Sequence, residues 1–156
     1  MDTQEKTVVP EIDTTEIEAR KGLADGVRLP LLIIGDAIIF IIFAAIGRRS
    51  HDEAAGIHSI LQVIVTALPF AAGWFIIAPF LGAYRRGLEV KPSAMVKRTA
   101  LAWLASWPVA MMLRGIFVDH TVPPLSFAIV TLITNTILLL IWRWPLSLIV
   151  SRVKAR

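Results

Sequence analysis

Long apolar runs separated by short polar stretches dominate the chain. Four of them, residues 29–47, 57–84, 99–117 and 124–142, reach the roughly 20 residues that a helix needs to cross a hydrocarbon core. None alternates with a period of two, and all far exceed the roughly 9–11 residues of a barrel strand. The pattern predicts an all-α integral membrane protein: a four-transmembrane-helix bundle over residues 28–156. The second run is long enough to tilt or to begin in the interface. Pro69, Pro79 and Pro108 fall inside the predicted helices, where a bilayer tolerates proline as a kink.

Residues 1–27 are different in kind. They hold seven acidic and three basic residues, whereas the remainder is strongly basic. This polar tail lacks both the basic start and the early apolar run of a secretory signal, so the first apolar segment is expected to stay as an anchor. Asp13-Thr14-Thr15-Glu16 predicts a capped short helix ending near Gly26.

Charge then orients the spans. Thirteen Lys and Arg residues fall on the side of the two termini and three (Arg48, Arg49 and Arg114) on the other. By the positive-inside rule both termini are expected to be cytoplasmic, in a multi-pass protein of the cell (inner) membrane. Tyr84, Trp142 and Trp144 suit interfacial anchors, while Trp74, Trp103 and Trp107 lie deeper, where packing is the expected role.

Composition agrees: 56% of the residues are hydrophobic and only 18% charged, well below the usual quarter or so. The 156 residues suit one domain and leave no room for a separate catalytic one. Cysteine is absent, which excludes disulfides, thiolate nucleophiles and cysteine-ligated metal centres. Because the basic residues are spread between apolar segments, the high pI points to topology, with no nucleic-acid partner expected.

Four stretches form an ordered set: DAIIFIIFAAIGRRSH (36–51), PFAAGW (69–74), MMLRGIF (111–117) and SFAIV leading to WR (126–143). They resemble the family called domain of unknown function 3054, small four-helix membrane proteins, over residues 28–144. The aspartate, the apolar run and Gly-Arg-Arg-Ser-His are the most specific part. The resemblance implies the fold, and it implies no activity, cofactor or catalytic residue.

Asp36 is the one carboxylate within a predicted span. By helical rise it lies about 12 Å from Arg28, on a level with Ser106 and Asn135 and near Thr131 and Thr134. A charge at that depth is costly and needs a partner, for which Asn135, Ser106 and Thr134 are the candidates. Either Asp36 and Asn135 staple two helices, or Asp36 is a proton or ion site in a transport path.

At the opposite end, Arg48, Arg49 and Arg114 form a candidate contact for an anionic lipid or small anion, against local ion pairs to Asp52, Glu53 or Asp119. His51, His58 and His120 share that end without metal-ligand spacing, and no metal site is expected. Ser50-His51 and Ser126 lie in no nucleophile motif, so no enzyme activity is expected.

Two functions compete. The first is a non-enzymatic accessory or assembly subunit acting through partner helices, as a homo-oligomer or in a larger membrane complex. It draws on the small residues Gly35, Ala37, Ala44, Ala45, Gly47, Ala71, Ala72 and Gly73. The second is a small dimeric proton- or ion-coupled transporter with Asp36 as its intramembrane site. On the latter reading Asp36→Asn is expected to keep assembly and abolish flux.

Overall fold

The structure is a computed structural model that describes residues 14–49 and 57–154. Helix α1 runs over Thr14–Arg49, α2 over Ile57–Ile77, α3 over Pro92–Arg114 and α4 over Leu125–Lys154. There is no strand among the described residues. Four stretches are long and apolar enough to cross a membrane: Arg28–Arg48 in α1, Ile60–Ile77 in α2, Pro92–Asp119, which is α3 continued by a π-helical turn over Gly115–Asp119, and Leu125–Arg152 in α4.

Each helix packs against the next in the chain, and α4 closes back onto α1. The pairings run antiparallel. Phe43 meets Phe70 as Asp36 meets Trp74, and Trp107 meets Ala128 as Trp103 meets Leu132. The result is an up-down-up-down bundle. Its aromatic core holds Phe40, Phe70, Trp74 and Trp103, all fully buried, with Phe40 and Trp103 centroids 5.5 Å apart.

Small residues set the helix spacing. A Cβ at Gly73 would lie 2.9 Å from the Ala110 backbone nitrogen, and one at Gly35 would enter the Trp142 ring. Gly35 and Gly73 are therefore spent inside the bundle, between α1 and α4 and between α2 and α3, and are not open to a partner. The exterior is apolar instead: Ile34, Leu61, Leu101 and Ile141 are each more than half exposed. So wide an apolar surface suits hydrocarbon and not water.

Four boundaries differ from the sequence expectation. Helix α2 stops at Ile77, because Pro79 disfavours helix in the residue before it, and the chain turns back through Gly82 and Gly87, both at positive φ. Helix α3 begins earlier than expected, with Pro92 in its first turn, where a missing N–H costs nothing. Helix α4 passes Arg143 and Trp144 and continues to Lys154. The helix expected to end near Gly26 is instead continuous with the first span.

The 78–91 connection is drawn into the end of the bundle. Leu88, in a 3-10 turn over Leu88–Val90, packs with Leu32 and Met95. Arg28 donates to the Tyr84 and Arg85 carbonyls at 3.0 and 2.9 Å and pairs with Glu89 at 2.8 Å. Ser147 donates to the Glu89 carbonyl at 2.8 Å, and Arg98 to that of Leu81 at 3.0 Å. Side chains from α1, α3 and α4 thus hold this connection in place.

Candidate functional site

Asp36 and Arg143 form an ion pair inside the bundle, and both side chains are 0% exposed. Arg143 is bidentate: Nε donates to Oδ1 at 2.9 Å and Nη2 to Oδ2 at 2.5 Å. By helical rise Asp36 sits about 3 Å from the middle of its apolar stretch and Arg143 about 7 Å from the middle of its own.

Two aromatic residues complete the enclosure. Tyr84 donates its hydroxyl to Asp36 Oδ2 at 2.5 Å, and Trp74 Nε1–H donates to the same oxygen at 3.0 Å. Their rings flank the guanidinium, whose carbon lies 4.8 Å from the Tyr84 centroid and 5.0 Å from that of Trp74. Arg143 Nη1 donates to the Ala83 carbonyl at 2.9 Å. Four donors therefore meet a carboxylate that has about four lone-pair sites, and the cation is stacked as well as paired.

Geometry of this quality decides the sign of the energy. Dehydrating two ions costs several kcal/mol each, offset only where a bidentate contact and further hydrogen bonds compensate. Burial and the neighbouring carboxylate both push the Tyr84 phenol above its ordinary value, so it stays a donor.

The polar residues proposed from sequence depth do not meet Asp36. Asn135 donates to the Thr131 carbonyl at 3.0 Å, and Ser106 to that of Ala102 at 2.7 Å, each within its own helix. Thr134 is half-buried and takes no part in the site. Asn135 Oδ1 is buried without a partner. The partner of Asp36 is Arg143, which sequence reasoning placed at the cytoplasmic end of the fourth helix. The apolar Leu146, Leu148, Ile149 and Val150 beyond it are the signal that the helix continues and that this arginine is interior.

At the other end, Arg114 is committed to Asp119, with Nε to Oδ2 at 2.9 Å and Nη2 to Oδ1 at 3.1 Å, and lies over the Phe127 ring. Of the two sequence expectations for this end, the ion pair of Arg114 with Asp119 is present. Arg48 is partly buried and engaged. The Arg49 and His58 side chains, with Ser50, His51, Asp52 and Glu53, lie outside the described residues. Among the described residues no group of His, Asp and Glu is placed to hold a metal ion.

Residues 33–146 match the family of proteins of unknown function DUF3054. The chain belongs to that family. No curated protein and no solved structure matches it. The DUF3054 match contains Asp36, Trp74, Tyr84 and Arg143, so the whole enclosure lies within the family region, whereas Arg28 and Ser147 lie outside it.

Proposed function

We propose that this protein is a multi-pass bundle of the cell membrane with both termini cytoplasmic, a non-enzymatic accessory or assembly subunit acting through partner helices. The observation that carries the reading is the closure of the one fully buried ion pair among the described residues. A carboxylate with 0% of its side chain exposed, bridged by Arg143 and capped at Oδ2 by Tyr84 and Trp74, offers no solvent-open place to a substrate or coupling ion. The pair is better suited to holding α1, α4 and the 78–91 connection in one register.

Binding capacity lies on the outside. A groove of about 660 Å³ beside α3 is lined by Trp107, Met111, Ile116 and Pro123, and one of about 280 Å³ by Leu68, Ala72, Leu113 and Phe117. Such grooves accept an apolar helix face. A photo-crosslinker at Ile116 is expected to capture a helix of a second copy or of another membrane protein, with none captured from Ile38 on α1. Capture of lipid alone from both positions would overturn the reading.

One observation favours transport. Tyr84 contacts Asp36 and also lines an open cavity of about 600 Å³ beside the 78–91 connection. Its hydroxyl is a one-residue link between that cavity and the buried carboxylate. If this link carries protons, Tyr84→Phe abolishes proton-coupled flux in proteoliposomes while leaving the ion pair intact. Absence of flux in the unmutated protein removes the transport reading.

A further inference from the structure

Of the arginines that sequence patterning points to as an anion site, Arg114 is paired with Asp119. Two others lie at the opposite end. Arg85 and Arg98 both line the cavity of about 600 Å³ together with Pro79, Phe80, Leu81 and Gly82. Among the described residues no carboxylate pairs with either, because Asp36 is held by Arg143, Glu89 by Arg28 and Asp119 by Arg114.

The local backbone brings the two cations together. Gly82 is at φ 71°, and a Cβ there would lie 2.9 Å from Arg98 Nη1, so the missing side chain lets the guanidinium approach the turn. Arg98 uses Nη1 on the Leu81 carbonyl and keeps its other donors, while Arg85 is exposed. Beside them Phe80 is 86% exposed, an apolar ring next to two guanidinium groups. Residues 85–98 hold five basic residues and one acidic one, Glu89, whose charge is already matched by Arg28.

The geometry points to a phosphate-binding site in this cavity. Arg85 and Arg98 supply charge-assisted, fork-shaped donors of the kind that suit phosphate oxygens. Phe80 and Leu81 supply an apolar wall along which an acyl chain can lie. The ligand chemistry is a phosphate monoester or diester anion, carried by an anionic lipid headgroup or free in solution. This is independent of whether the bundle acts through partner helices.

The test uses the full chain in a zwitterionic detergent. Native mass spectrometry with equal amounts of dioleoyl phosphatidylglycerol and dioleoyl phosphatidylcholine reads lipid preference, and calorimetry with inorganic phosphate reads the free anion. One phosphatidylglycerol is expected to be retained about tenfold in preference to phosphatidylcholine, and Arg85→Gln to erase that preference, as loss of one charge-assisted contact implies. The Arg85 side chain holds no other part of the fold, so a loss in this variant reports the site. Arg98→Gln, checked by thermal unfolding because Arg98 also holds Leu81, is expected to do the same. Lys91→Gln with Lys97→Gln, outside the cavity, is expected to leave binding unchanged.

Equal binding of inorganic phosphate with the same Arg85 dependence assigns the site to a free anion. If the lysine variant loses as much as Arg85→Gln, the attraction is diffuse and the proposal fails. It fails equally if neither phosphatidylglycerol nor phosphate is preferred.

Discussion

The residue that decides the behaviour of the bundle is Arg143. On the transport reading Asp36→Asn is expected to keep assembly, whereas the bidentate pair predicts a loss of stability. Asparagine would leave a buried guanidinium without its counter-ion, so a loss of about 3–5 kcal/mol is expected by unfolding in detergent. The double replacement Asp36→Leu with Arg143→Met is expected to recover part of that loss, because no charge is then left unmatched although the Tyr84 hydroxyl and the Trp74 N–H lose their acceptor. A double replacement as unstable as the single one would refute a pairwise role. Tyr84 is the one tyrosine in the chain, so alkaline absorbance titration reads it alone. Its phenol is raised above the ordinary value near 10, chiefly by burial. The folded state therefore holds that proton more tightly than the unfolded one. The associated stability is fully present below about pH 10 and is lost as pH rises through the raised value. Tyrosinate should appear only together with unfolding. A normal titration in the folded protein would show that the hydroxyl is not buried against Asp36.

Among the elements, α2 and α3 pack closely at Gly73. The atoms that a Cβ would meet there include the backbone nitrogen and Cα of Ala110, at 2.9 and 3.0 Å, which cannot swing aside. Gly73→Val is expected to cost about 1–3 kcal/mol through overpacking, read as a lower unfolding midpoint, whereas the same change at Gly47, which has nothing within 4 Å, should cost less. The number and helical character of the spans were legible in the sequence, since hydropathy over about 20 residues is a local property. The ends of α2 and α4 were harder to place. Pro79 reads as a kink inside a helix until Gly82 is found at positive φ, and an arginine reads as the edge of a span unless its charge is known to be matched. That match joins residues 107 apart, and no local pattern contains it. Its depth in the sequence makes Trp74 packing material, and it does pack, but its indole N–H also serves the carboxylate.

For the whole molecule, absence of cysteine makes topology directly measurable. Arg143 leaves the set of flanking cations, and the remaining bias still favours the end that carries the 78–91 connection. A cysteine placed at Val122, which is 88% exposed in the α3–α4 connection, is expected to react with a membrane-impermeant maleimide in intact cells. One placed at Lys91 should react only after permeabilisation. The reverse labelling pattern would invert the proposed orientation and move the arginine-lined cavity to the outer leaflet.

The distance along the chain between Asp36 and Arg143 also has a consequence in time. On the proposed membrane placement, the first helix enters the bilayer during synthesis long before the fourth exists. At roughly 5–20 residues per second, the 107-residue separation corresponds to about 5–20 s in which the carboxylate has no counter-ion. A chain that stops short of Arg143 never acquires one. The internal ion pair thus distinguishes a finished protein from an incomplete one, and unfinished chains are expected to be the shortest-lived.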